Sequence, residues 1–497
     1  MNKQLRHVAV VGTALIAALI VATTYWQSWA SAELANRQGN AVQLVAQLQV
    51  DRGTIFAADG TRLAWSVPRH DKGLTTYSRR YQPDGAWAQV LGYATPGQTQ
   101  AGLELSLNPF LTGSSTSISS TLTDEINRLG NKTVHGDDVT LTLRPALQEL
   151  AERLLAGRCG AVVAMNPKTG AVYAMASSPS YNPNLILAKN GYAKIAKITG
   201  TCGDASALYD NATQGRYPPG STFKLVTAAA ALDSGAYTPY SSFYDPGYCT
   251  EPDGQIVKNS SSPDGGAEAF GNVSLQAGLE HSINSVFCNI GLHIGASKIL
   301  DYAKRFGFYS TPPLDTPSNT IFPSGLYNHH KLWDPSDPAS QVDAGRLAFG
   351  QERMLVTPLQ MALVASTIAN HGTEPIPYVV QKVTAPDGSL VSTTTPRTLG
   401  HPISAKTASA LNQMMQLVVQ GGTAAGVGFP YSLNVAGKTG TAELGLGSLY
   451  DSWFVCFAPA SNPKVAIAVV VEKQLNGFGA SVAAPIANSM LQTILHG

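Results

Sequence analysis

Two apolar runs in the first half of the chain and three near its end most constrain the fold. "GAVVAM" from Gly160 and "AVYAMASS" from Ala171 are joined by the turn "NPKTG", a hairpin pattern. "NVAGKTGTAE", "SWFVCFAPA" and "KVAIAVVVEK" follow from Asn434 onward, before a last helical stretch, "APIANSMLQTILHG". Between the two groups, from Ser221 to about Gly421, the pattern is mostly helical with Pro- and Gly-rich loops. Two strands before a helical block and three after it assemble most simply into one antiparallel sheet with helices on both faces, an α/β (α+β) architecture. "DDVTLTLRPALQELAERLL", Asp137 to Leu155, leads into it as a short strand and an amphipathic helix. Its Leu147, Leu150, Leu154 and Leu155 lie near one face.

The N-terminus supplies an address. Lys3, Arg6 and His7 precede "VAVVGTALIAALIVAT", Val8 to Thr23, and Tyr25 and Trp26 follow with the amphipathic character of an interfacial belt. Counted through Trp26 the segment is long enough to span a bilayer as one helix. "ASA", Ala30 to Ala32, resembles a signal-peptidase site, but the length of the apolar run and its aromatic flank favour an uncleaved anchor. Basic residues before the helix put the start inside and the body outside. The expected organisation is a cytoplasmic tail 1–6, a transmembrane anchor 7–26, a non-catalytic α+β pedestal 27–136 and a main domain 137–497. The pedestal contains the low-complexity patch "TGSSTSISST", Thr112 to Thr121.

The formal charge of +1 gives no hint of nucleic-acid binding, and 13% charged residues suit an exported protein better than a cytosolic one. The five cysteines, Cys159, Cys202, Cys249, Cys288 and Cys456, show no C-x-x-C spacing, so neither a zinc site nor a redox pair is indicated. An odd count outside the cell leaves at least one thiol unpaired. Most are expected to be small buried residues, with no pairing readable from sequence.

Three motifs carry the chemistry. In "YPPGSTFK", Ser221 and Lys224 stand at i and i+3 of a helix expected to begin at Ser221, on one face, with Phe223 turned to the core. Unpaired N–H groups of the helix start can bind developing negative charge near Ser221. A lysine can activate a serine only if its amine is neutral, and burial and a neighbouring positive charge both push that way. "HSINSVF" offers Ser282 and Asn284, and "GKTGTAE" offers Lys438, Thr439, Gly440 and Thr441. Lys438 is the neighbouring charge expected to lower Lys224, and Ser282 between the two amines can relay a proton. Gly440 and Ala442 keep the strand narrow, so an extended peptide can pair along it. The Thr439 and Thr441 hydroxyls beside the lysine make a seat for a terminal carboxylate. Each motif alone is commonplace; the ordered set, separated by 61 and 156 residues, is specific.

On these motifs the chain resembles the class B penicillin-binding proteins, D,D-transpeptidases that cross-link peptidoglycan, and most closely those of actinobacteria. The resemblance extends to "RGTIFAADGTRLA" (Arg52 to Ala64), "GLE" (Gly102 to Glu104), "NPKTGAVYAMASSPSYNPN" (Asn166 to Asn184) and "VTPLQMALVASTIAN" (Val356 to Asn370). It departs at Ala57 and Ala58, where the family's early motif usually carries an Asp-Arg pair. The resemblance implies that Ser221 attacks the carbonyl between the last two D-alanines of a stem peptide, that Lys224 takes its proton, and that the N–H groups of Ser221 and Thr441 form the oxyanion hole. Ser282 would protonate the departing D-alanine, and Asn284 would orient the donor's amide. It implies no metal or organic cofactor, covalent inhibition by β-lactams, and pedestal contacts with proteins of the elongation or division machinery.

Rival readings are a D,D-carboxypeptidase, which uses water as acceptor, and a membrane-bound β-lactam sensor, which would be expected to carry a cytoplasmic effector domain or several membrane spans where about six residues precede the helix. A class A β-lactamase places its Glu-x-x-Leu-Asn after Ser-x-Asn, whereas "ELSLN", Glu104 to Asn108, lies before Ser221 and belongs to the pedestal's "GLE". No glutamate-bearing glycosyltransferase motif precedes residue 140, which disfavours a bifunctional class A enzyme.

Overall fold

The computed structural model describes residues 3–25, 45, 47–71, 74–96, 99–114, 133–155, 157–203, 206–260, 267–445 and 447–496. Trp26, the Ala30–Ala32 tripeptide and residues 115–121 of the Ser/Thr-rich patch lie outside them.

Helix α1 (Lys3–Tyr25) is a single apolar rod, of which the 20 residues Arg6–Tyr25 are long and apolar enough to cross a membrane. Strands β1 (Ile55–Phe56), β2 (Arg62–Asp71), β3 (Leu74–Tyr81) and β4 (Asp138–Leu141) belong to one six-stranded sheet, completed by Val380–Thr384 and Leu390–Thr393. β1 pairs parallel with β4, and β4 pairs antiparallel with Val380–Thr384, so this sheet draws strands from both sides of residue 136. Beside it, Glu104 is fully buried and gripped by Arg52 Nη2 at 2.6 Å and Arg79 Nε at 2.5 Å. Burial pushes this carboxyl up, and the two guanidinium groups outweigh it and hold it below the ordinary value. The glutamate of "ELSLN" is thus a pedestal ion pair.

Helix α2 (Pro145–Leu155) buries Leu147, Gln148, Ala151 and Leu155. The second sheet follows: β5 (Gly160–Met165) and β6 (Val172–Ser178) form the hairpin expected around "NPKTG". Three strands return at the far end of the chain, β7 (Ala436–Glu443), β8 (Leu449–Ala458) and β9 (Val465–Leu475). Their order, β6-β5-β9-β8-β7, is antiparallel throughout and leaves β7 on an edge. Every residue from Val465 to Val471 is buried, and since neighbours on a strand face opposite sides, both faces of β9 are covered. The covering helices include Pro358–Ala369, buried on all sides, and the terminal Ala483–His496.

One expectation is corrected. Residues 220–223 form a 3-10 turn, and the α-helix, α3 (Lys224–Asp233), starts at Lys224 instead of Ser221. The cause is local: Thr222 donates to Pro219 O through its N–H at 3.3 Å and its hydroxyl at 2.8 Å, tightening the turn. A 3-10 turn stacks i over i+3, so Ser221 and Lys224 still share a side. Most of the cysteines are buried, as expected, and the fold adds the pairings: Cys159 with Cys202 and Cys249 with Cys288, across 43 and 39 residues, leaving Cys456 free and buried. Pairings over such separations depend on the fold, which is why no local spacing announced them.

Candidate active site

The Ser221 turn is pressed against the edge strand β7. Tyr217 forms an antiparallel bridge with Val356, and Trp453 Nε1 donates to Pro218 O at 3.0 Å. Gly220 sits at φ +49°, and a Cβ there would lie 2.9 Å from Thr441 O, so glycine permits both the conformation and the approach. Gly440 repeats the argument from the other side, since its Cβ would meet Thr222 Cγ2 at 2.8 Å and Pro219 O at 3.0 Å. Ser221 is partly exposed between them, and Phe223 is in the core against Phe308, as expected.

The second motif hangs on a helix end. Helix α4 (Leu275–Glu280) closes with Ser282 N–H donating to Leu279 O at 3.2 Å and Ile283 N–H to Gly278 O at 2.9 Å. This is a Schellman end, and Ser282, at φ +58°, fills the left-handed position that usually takes glycine. The conformation aims the Ser282 carbonyl and hydroxyl at the lysines. Helix α5 (Asn284–Ile294) starts two residues later and is held by several ties. Asn284 Nδ2 donates to Lys258 O at 3.1 Å, Ser285 N–H to Asn259 Oδ1 at 2.9 Å, and the Ser285 hydroxyl to buried Asp245 at 2.5 Å. The Cys249–Cys288 disulfide ties the same helix to the strand Tyr248–Thr250. Asp245 and Asn259 carry no motif signature; their role comes from contacts 26 to 40 residues apart.

The three motifs meet at one oxygen. Lys224 Nζ donates to Ser282 O at 2.6 Å and to Asn284 Oδ1 at 2.7 Å, and lies 3.2 Å from Ser282 Oγ. Lys438 Nζ donates to the same Ser282 Oγ at 2.9 Å and to Thr439 O at 3.0 Å. Both lysines are fully buried. Burial, and then the charge of Lys438, holds the Lys224 amine well below the ordinary lysine value. Burial lowers Lys438 to about 7. Both shifts favour the uncharged amine, and the two nitrogens lie on either side of one hydroxyl. Among the described residues no hydrogen bond joins the Ser221 hydroxyl to Lys224.

Strand alternation separates groups that the sequence reading set side by side. Lys438 and Gly440 face the Ser221 turn, whereas Thr439 and Thr441 share the opposite side. There Thr439 Oγ1 meets Thr423 Oγ1 at 2.6 Å, and Thr441 Oγ1 accepts from Gly479 N–H at 3.3 Å. Among the described residues the outer edge of β7 carries no partner strand, as an extended peptide would require. Asn284, expected to orient a donor amide, has both side-chain atoms engaged, with Lys224 and Lys258 O.

The penicillin binding protein transpeptidase domain family matches residues 160–492, and the penicillin binding protein A dimerisation domain family matches residues 52–139. The chain belongs to the penicillin-binding protein transpeptidase family. This penicillin-binding protein is 35% identical to the peptidoglycan D,D-transpeptidase PbpA of Mycolicibacterium smegmatis, over 100% of this chain and 99% of that one. It is 32% identical to PbpA of Mycobacterium tuberculosis, with both chains covered in full. Among solved structures it resembles penicillin-binding protein A from M. tuberculosis, determined as a ceftriaxone acyl-enzyme complex. The TM-score is 0.79 at 29% identity, covering 91% of this chain and 100% of that one.

Proposed function

We propose that this chain is a peptidoglycan D,D-transpeptidase that acylates Ser221 with a stem peptide, passes the acyl group to an amine of a neighbouring stem, and is blocked covalently by β-lactams. The observation that carries the residue assignment is the shared contact of Lys224 and Lys438 with Ser282 Oγ, at 3.2 and 2.9 Å. Relatives named D,D-transpeptidase and an acyl-enzyme complex of a structural neighbour support the reaction class.

The roles follow from the geometry. Neutral Lys224 takes the proton of Ser221 as its oxygen attacks the carbonyl between the terminal D-alanines, through a hydrogen bond that forms once substrate is seated. The oxyanion faces the N–H groups of Ser221 and Thr441, brought together by the Gly220 and Gly440 contacts. The proton returns through Ser282 to the leaving D-alanine nitrogen, with the Lys438 ammonium polarising that hydroxyl. Asn284 holds Lys224 by accepting its hydrogen bond. Thr439 and Thr441 seat the terminal carboxylate on the edge strand, and Lys438 contributes field across the strand. The acceptor amine then attacks the acyl-enzyme and gives its proton to Lys224, which returns it to Ser221 Oγ as the ester bond breaks.

As part of the same proposal, α1 crosses the plasma membrane once with Lys3 and Arg6 on the cytoplasmic side, by the positive-inside bias. Residues 27–136 are the pedestal, residues 137–497 the transpeptidase domain, and the pedestal binds proteins of the elongation or division machinery.

The test is a donor peptide ending in D-Ala-D-Ala, supplied with and without a D-amino-acid acceptor, with products weighed. Exchange supports transferase chemistry; hydrolysis alone would make the protein a carboxypeptidase. Ser221→Ala should abolish covalent labelling by fluorescent penicillin, and labelling that persists elsewhere excludes Ser221 as nucleophile.

A further inference from the structure

The loop between the helix Ala405–Gln420 and β7 carries no recognised motif, yet it touches two of the three. Thr423 N–H donates to Glu280 O at 3.2 Å, at the end of α4 and two residues before Ser282. A Cβ on Gly422 would lie 2.2 Å from the same oxygen, so glycine allows the loop to close on it. The next residue, Ala424, is fully buried with its N–H on Val418 O at 2.9 Å, which fixes Thr423 from both sides. Its hydroxyl then reaches the Thr439 hydroxyl at 2.6 Å, and Thr439 is only 6% exposed.

A threonine hydroxyl has one proton to give. If Thr439 donates to Thr423, it has none for an anion. If Thr423 donates to Thr439, the Thr439 proton is free, and the two aligned hydroxyls polarise each other in the sense a carboxylate favours. We propose that Thr423 is a positioning residue for carboxylate recognition: it donates to Thr439 so that Thr439 donates to the substrate's terminal carboxylate. Through Glu280 it also keeps that seat in register with Ser282. This rests on the reading of Thr439 and Thr441 as the carboxylate seat.

The experiment uses the full chain in detergent and a thioester donor in two forms, with a free terminal carboxylate and as its methyl ester. Wild type, Thr423→Val, Thr423→Ser and Thr439→Val are compared by kcat/KM on each. Thr423→Val should lower kcat/KM for the free acid by about tenfold, the scale of one hydrogen bond to a charged group, and leave the ester unchanged. Thr423→Ser should stay within about twofold of wild type, because it keeps the hydroxyl. An equal fall on both substrates, or none, in Thr423→Val overturns the inference; the carboxylate seat itself survives that result if Thr439→Val loses kcat/KM on the free acid alone. If Thr439→Val lowers acid and ester equally, or neither, the seat itself is wrong and the inference falls with it.

Discussion

Asn284 Oδ1 accepts a hydrogen bond from Lys224 Nζ at 2.7 Å, and this contact gives the lysine a neutral partner where a carboxylate would have kept it charged. Asn284→Asp tests that distinction. The new anion would favour the ammonium, so the acid limb of the acylation pH profile should move about one pH unit or more higher. Stopped-flow acylation by a penicillin from pH 5 to 9 reads it; an unmoved limb would remove Lys224 as the base.

The lowered amines also tie stability to pH. Lys438 falls from 10.5 to about 7 on folding, so between those values the unfolded chain binds more protons, and stability rises with pH. Below about 7 both states are protonated and the contribution is flat. Wild type should gain on Lys438→Met by up to about 1.4 kcal/mol per pH unit between pH 7 and 9. Urea unfolding of both proteins at pH 6 to 9 checks it, and a constant difference between them contradicts it.

Ser282 occupies a left-handed position at φ +58° that glycine fills without strain. Ser282→Gly should therefore melt higher than Ser282→Ala, by the equivalent of about 1 kcal/mol, while both lose acylation to a similar degree. Equal melting points would show that the backbone relaxes when the hydroxyl is removed.

Gly440 admits no side chain against Thr222 and Pro219. Gly440→Val should push the Ser221 turn off β7 and slow acylation about 100-fold, the scale of a displacement near 1 Å, with the fold intact by circular dichroism. Normal acylation would mean that the oxyanion site does not depend on this contact.

Among the described residues, Glu104 is the carboxylate that ion-pairs with both Arg52 and Arg79. Glu104→Gln removes the carboxylate that both guanidinium groups share, one of them deeply buried, and should cost about 3 to 5 kcal/mol. Thermal unfolding should fall while penicillin labelling of the folded fraction is unchanged; loss of labelling in folded protein would tie the pedestal directly to the site.

What could be read from the sequence was local. The five strands announce themselves through runs such as "VAIAVVVEK", and Ser221, Lys224, Ser282 and Lys438 through short spacings that physical chemistry links to a buried amine. What could not be read was settled by distant contacts. The partner of Cys249 is 39 residues away, and Thr423 reaches Thr439 only because Gly422 closes on Glu280. The helix start was misplaced because the Thr222 hydroxyl, which bonds back to Pro219, competes with α-helical pairing. Strand parity decided where Lys438 goes relative to Thr439, and that parity is legible only once the strand's inner face is known.

The six-stranded sheet joins β4 and Val380–Thr384 edge to edge with strands from the N-terminal region. A soluble fragment begun at residue 137 would strip β1, β2 and β3 from it and leave β4 with an open hydrogen-bonding edge. Sticky, self-associating material from such a truncation would reflect where the cut was made, not a weakness of the enzyme.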